Sequence, residues 1–167
     1  NSLQAEKLYA IVGELAGEFS TGQILDLYCG TGAISLHLAR SAAAVLGIEV
    51  VEEAIVDARR NAECNDIHNC EFIAGAAEDL LAGLQEEGRF FDLIVVDPPR
   101  PGVHKRALAA LGLLRPPRII YVSCNPETLV DDLVVLVDEG YHIGSIQPVD
   151  MFPQTPHCEV VCQLNKT

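Results

Sequence analysis

The sequence predicts an α/β fold: a mostly parallel, doubly wound sheet with an antiparallel final strand. Two observations carry this. Short apolar runs alternate with helix-patterned stretches along the chain, which implies parallel strands joined by right-handed helical crossovers and a sheet covered on both faces. After the last helical stretch, the strand-like runs 141–149 and 159–164 follow one another with no helix between them. Strands so joined suggest an antiparallel pair.

The elements follow in order. Residues 2–18 read as a helix, because Leu3, Leu8, Ile11, Val12 and Leu15 recur along one face. Strands are predicted at 24–28, 45–48, 70–73, 93–96 and 118–122, and helices near 33–40, 52–64, 77–86, 104–112 and 126–138. The sequence shows no repeat, low-complexity tract or internal linker, so residues 1–167 are read as one domain.

The balance of 49% hydrophobic and 21% charged residues is that of a soluble globular protein. No apolar run approaches the ~18 residues of a membrane span, and no charged-then-apolar leader opens the chain. The expectation is a soluble, cytoplasmic monomer. Six cysteines, at 29, 64, 70, 124, 158 and 162, form no CxxC pair, so neither a metal site nor a disulfide framework is expected. His157 and Glu159 lack a third ligand in sequence, which makes a poor metal site. A formal net charge of −13 argues against these residues alone gripping a polyanion.

The ligand-site signals all fall at predicted strand ends, where open sheets of this kind bind ligands. In "ILDLYCGTGAISLHLA" a strand leads through Gly30 and Gly32 into a helix. Glycines there permit a tight turn and close backbone approach to a ligand. The GxG lacks the third glycine of the dinucleotide fingerprint, since Ser35 stands in its place. The second strand ends at Glu49, where an acid can accept both hydroxyls of a ribose. Together the two segments favour an adenosine-containing cofactor. Glu78 and Asp79 suit the adenine end and serve equally as helix-start acids.

These residues, with Asp97-Pro98-Pro99-Arg100 at the fourth strand end, resemble the S-adenosylmethionine-dependent methyltransferases. That resemblance implies a Rossmann-like class I methyltransferase fold with S-adenosyl-L-methionine as cofactor. In "YVSCNPETL" a thiol, Cys124, stands at the mouth of the fifth strand. Carbon 5 of uracil is a poor nucleophile until a thiolate adds at carbon 6, and a base must then remove the carbon 5 hydrogen to expel the cysteine. Glu159, opening the last strand, fits that base if partial desolvation raises its pKa. Its other reading is an edge-strand charge facing water.

The motifs DLYCGTG, VVDPPRPG, YVSCNPETL and DMFPQTPHCE, in that order, resemble the RNA uracil-5-methyltransferases, which form 5-methyluridine in transfer or ribosomal RNA. The resemblance implies Cys124 as nucleophile, Glu159 as base, and Tyr28, Glu49 and Asp97 as cofactor contacts, with Asp97 also orienting the target base. Gly30 and Gly32 form the cofactor turn. Some members carry Asn where this chain has Ala33, which removes one polar contact. Family enzymes place RNA-binding domains before the catalytic one, joined through an F-x-Q-x-N-like segment. The opening Asn1-Ser2-Leu3-Gln4 resembles a cut inside it. The expectation is therefore a catalytic domain of a longer enzyme, with the RNA substrate gripped largely by other domains.

Three alternatives remain at this point. SCNPETL followed by DMFPQT is closer to the ribosomal branch of the family, which favours ribosomal RNA over transfer RNA. Cytosine-5 methylation uses the same thiol logic, but those RNA enzymes usually carry a second cysteine in the DPP-type loop, and residues 97–102 have none. A non-catalytic cofactor-binding module would need neither Cys124 nor Glu159.

Overall fold

In a computed structural model, which describes residues 2–17, 19–151 and 158–167, the chain forms a seven-stranded sheet flanked by helices. The elements in order are α1 (Ser2–Ala16), β1 (Phe19–Leu27), α2 (Ala33–Ala39), β2 (Ala42–Glu49), α3 (Glu52–Cys64), β3 (Cys70–Ala74) and α4 (Ala77–Glu86). There follow β4 (Leu93–Val96), α5 (Lys105–Leu114), β5 (Arg118–Ser123), α6 (Pro126–Asp138), β6 (Tyr141–Val149) and β7 (Glu159–Lys166). All six predicted helices and seven predicted strands are present. The ends differ by a few residues: α5 runs two residues past the expected 112, and β1 starts at Phe19 rather than Ile24. Its extra residues pair irregularly, with a register shift between Phe19 and Gln23.

The spatial order is β3-β2-β1-β4-β5-β7-β6. β1 to β5 pair in parallel, whereas β7 is antiparallel to both β5 and β6. Strand order reverses between β1 and β4, and the crevice at their carboxyl ends is the place where such sheets bind ligands.

Side-chain alternation builds the two core layers. Leu25, Ile94, Val96, Ile119 and Tyr121 face α4, α5 and α6, while Ile24, Leu93, Val95, Ile120 and Val122 face α1 and α2. Successive residues of a strand point to opposite faces, so runs such as "LIVV" must be apolar throughout when both faces are covered. A third cluster places Ile55, Ala58 and Ala62 of α3 against Cys29 and Phe72. Cys158 lies one residue before β7, and it and Cys162 touch the same core layer.

Candidate active site

Tyr28, immediately after β1, adopts φ 63, a left-handed backbone that ordinary side chains avoid. The turn is then closed by the Gly32 N–H donating to the Cys29 carbonyl at 2.9 Å. Gly30 and Gly32 hold φ 53 and φ 82, but they differ in what surrounds them. A β-carbon on Gly32 would sit 3.0 Å from the Phe72 ring and 3.2 Å from Ala58, whereas one on Gly30 would meet nothing within 4 Å. Gly32 is therefore set by both backbone conformation and packing, and Gly30 by backbone conformation alone, with open space beside it.

The Glu49 carboxylate is aimed by two backbone donors. Gly30 N–H donates to its Oε2 at 3.1 Å and Val51 N–H to its Oε1 at 3.0 Å. Beside it lies a cleft of about 150 Å³ lined by Tyr28, Glu49, Val50, Gly75, Ala77 and Glu78. A larger cleft of about 560 Å³ shares Tyr28 and Glu78 and opens across the β4–α5 loop toward Thr128 and Asp132. Another hollow, about 220 Å³ and lined by Gln23, Val45, Cys70 and Arg89, opens at the amino ends of β1, β2 and β3, away from these residues.

The loop after β4 is fixed from three sides. Asp97 N–H donates to the Leu27 carbonyl at 3.2 Å. The Arg100 carbonyl accepts from Asn125 Nδ2 and Thr128 Oγ1, each at 3.2 Å. Asp132 Oδ2 accepts from Val103 N–H at 2.8 Å and from the Tyr121 hydroxyl at 2.5 Å. Two prolines remove free N–H groups from this loop, and these contacts hold what remains.

Cys124 follows the last residue of β5 and is partly exposed. Around it the backbone is tied down: Ser123 Oγ donates to the Asn125 carbonyl at 2.9 Å and accepts from Asn125 N–H at 3.0 Å. The Asn125 side chain caps α6 by accepting from Glu127 N–H, and Pro126 occupies the first helical turn, a pairing that favours a sharp helix start. Glu159, at the first position of β7, is likewise partly buried. Burial pushes its carboxyl above the ordinary value, and Arg100 opposes the shift.

A carboxylate cluster lies behind these residues. Asp97 is pushed up to about 7 by burial and by the negative charges of Asp26 and Glu159. Asp26 is fully buried in β1 and pushed to about 7, chiefly by burial, against the hydrogen bond that the Ser35 hydroxyl donates at 2.5 Å. Asp26 Oδ1 and the Tyr28 hydroxyl are buried without a hydrogen bond among the described residues. Buried orphan polar atoms call for a partner.

The carboxyl rim of the sheet thus carries Tyr28, Gly30, Gly32 and Glu49 after or at the ends of β1 and β2, Asp97 after β4, Cys124 after β5 and Glu159 at the start of β7. His157, Pro153 and Pro156 of the DMFPQTPHCE segment lie outside the described residues. Sequence reasoning missed Asp26 and Arg100. Asp26 had a signal, being an acid inside the otherwise apolar "ILDL". Arg100 had only its place in the proline loop. Among the described residues, no group of three or more His, Cys, Asp or Glu could hold a metal ion, and no helix is long and apolar enough to cross a membrane.

A sequence model of the tRNA (uracil-5-)-methyltransferases matches residues 1–167. The chain belongs to this family. An uncharacterized RNA methyltransferase of Clostridium tetani is 50% identical over 166 residues, covering 99% of this chain and 36% of that protein. An RNA methyltransferase of Caldanaerobacter subterraneus is 46% identical over 167 residues, again 36% of its length. The chain therefore spans about a third of the length of these relatives. Among solved structures, the Pyrococcus abyssi tRNA (uracil-54, C5)-methyltransferase in complex with S-adenosyl-L-homocysteine superposes with a TM-score of 0.86 at 40% identity. It covers 98% of this chain and 38% of that one. A precorrin-6Y methyltransferase of Geobacter metallireducens, 13% identical with a TM-score of 0.80, shares the fold. The expected Rossmann-like methyltransferase architecture is met.

Proposed function

We propose that this member of the uracil-5-methyltransferase family is the catalytic part of a longer cytoplasmic enzyme that methylates carbon 5 of a uridine in RNA, with S-adenosyl-L-methionine as methyl donor. The observation that carries the reading is the shared rim of the sheet, at which Glu49 ends β2, Cys124 follows β5 and Glu159 opens β7. The residues fit the cofactor. A carboxylate pre-aimed by two N–H groups suits ribose hydroxyls, open space flanks Gly30, and Tyr28, whose hydroxyl lacks a hydrogen bond among the described residues, lines the same cleft. When bound, the cofactor supplies a methyl group made electrophilic by its sulfonium.

The chain's residues do the remaining work. Cys124 adds to carbon 6 and so makes carbon 5 nucleophilic toward that methyl group; once carbon 5 is methylated, Glu159 removes its proton, and the thiolate leaves with restoration of the ring. Asp97, on the stiff proline loop, orients the base beside the cofactor. Such chemistry requires the uridine to leave its stack, so loop uridines are the preferred targets. With a net charge of −13, these residues supply little phosphate grip, and other domains of the enzyme hold the RNA.

The motifs near Cys124 favour ribosomal RNA, while the Pyrococcus relative is a transfer-RNA enzyme. Full-length protein should be incubated with S-adenosylmethionine and each unmodified RNA, and the products digested for nucleoside mass spectrometry. We expect 5-methyluridine. Formation of 5-methylcytidine, or of neither, overturns the reading, and mapping the modified position separates the two RNA classes.

A further inference from the structure

The pattern of α6 is apolar on more of its circumference than one core layer uses. Leu129, Leu133 and Leu136 are buried against the sheet, as an amphipathic helix requires. Yet Val130, Val134 and Val137, spaced four and three apart, form a second apolar ridge that is 44–58% exposed. Asp131 and Asp138 bound this ridge, so the apolar stripe of α6 is wider than the buried layer uses and its outer part is left uncovered.

β6 continues this surface. It is the outer edge of the sheet, and Ile143 and Ile146 are about half exposed there. Strict alternation would send residues three apart to opposite faces. A bulge at Gly144 prevents that: Ile143 pairs with Leu164, but Ile146 pairs with Cys162, so the extra residue returns both isoleucines to one face. Leu164 and Cys162 both belong to the layer that packs on α6. The two isoleucines and the valine ridge consequently line one groove of about 330 Å³, floored by Leu133. An exposed apolar groove along an unpaired strand edge is a docking surface or an aggregation hazard.

We infer that the α6–β6 groove is the interface onto which the remainder of the full-length polypeptide docks, as an adjoining domain. The inference rests on the proposal that these residues are part of a longer enzyme. What argues for this occupant is length: in the first two relatives the matched region is 36% of the protein, and in the Pyrococcus structure 38%, so well over half of each chain is available to cover it. A second copy is disfavoured by charge, since each chain of residues 1–167 carries −13 and like-charged surfaces repel. α6 and its N-cap Asn125 also hold the loops bearing Cys124 and Asp97, through Asn125 and Asp132.

The test is thiol labelling of full-length protein carrying Val134→Cys or Ile146→Cys, small changes that leave the buried face of α6 intact. Site-resolved mass spectrometry compares each new thiol with the exposed native Cys64 in the same molecule, using the rates in urea as the reference for each site. In the native protein the new thiols should react at least about tenfold more slowly than Cys64, as expected for an interface that must open before reaction. Labelling as fast as Cys64 overturns the inference. Slow labelling that becomes fast on dilution, together with a dimer mass by light scattering, overturns it in favour of a second copy. A reading frame that encodes only residues 1–167 also overturns it. Formation of 5-methyluridine is measured on the same variants, so failure of the functional reading is seen separately from failure of the interface.

Discussion

Ser123 of β5 pairs with Val160 of β7 in an antiparallel register, which sets Cys124 and Glu159 each one residue beyond the last paired positions. Residues 35 apart in sequence are thereby delivered to one rim. The rim is also where β1, β2 and β4 end, because β7 alone runs against the other strands.

This pairing predicts a trapped intermediate. In the full-length enzyme, Cys124→Ser should bind cofactor but form no covalent RNA adduct, since a hydroxyl is a much weaker nucleophile than a thiolate. Glu159→Gln should attack and transfer the methyl group, then stall with methylated RNA attached to Cys124. Denaturing gels with labelled RNA read both outcomes. Normal turnover by Cys124→Ser would sink the mechanism, and free product without adduct from Glu159→Gln would require another base.

Glu159, the proposed base, faces the charge of Arg100. Burial raises the Glu159 carboxyl, and the Arg100 charge holds it lower than burial alone would. A base works only when deprotonated, so the rate of product release should rise with pH through the Glu159 pKa. Arg100→Gln removes the opposing charge and should move this acidic limb to higher pH. The pH–rate profile of single turnovers checks it, and an unmoved limb excludes the Arg100–Glu159 interaction from that step.

Glu49 should govern cofactor affinity. Glu49→Ala removes a charged acceptor and releases the Gly30 and Val51 N–H groups that aim it, so calorimetry should show binding weaker by about 1.5–3 kcal/mol. Glu49→Gln keeps one acceptor oxygen and should lie between. Unchanged affinity in the alanine variant would remove Glu49 from the site.

Asp26 predicts a pH dependence of stability. Its folded-state pKa of about 7 lies above the ordinary carboxylate value, so the folded chain binds the proton more tightly than the unfolded chain does. The resulting stabilisation is fully present below about pH 4 and is lost as pH rises toward 7; for a shift of this size it amounts to at most about 4 kcal/mol. Urea unfolding should therefore give a larger loss between pH 4.5 and 7.5 in the native sequence than in Asp26→Asn, to be read at about those two values. Equal losses would mean that Asp26 does not carry the linkage.

The sequence by itself determined the elements and most of the candidate residues. Periodicity marked every helix and strand, because burial on one or two faces leaves a pattern within a few adjacent residues. The glycine turn marked Gly30 and Gly32 and the strand ends marked Glu49, Cys124 and Glu159, because a tight turn and a strand mouth are local features; Tyr28 and Asp97 came from the family resemblance of their motifs. Tertiary structure decided what depends on residues far apart. It set the place of β7 between β5 and β6, without which Glu159 would not open beside Cys124, and the buried neighbourhood that raises Asp26 and Asp97. The bulge at Gly144, which turns Ile143 and Ile146 to one side of β6, was also beyond local reading. A register shift or a desolvated charge is a property of the partner strand or the surrounding layer, and no local stretch of sequence encodes either alone.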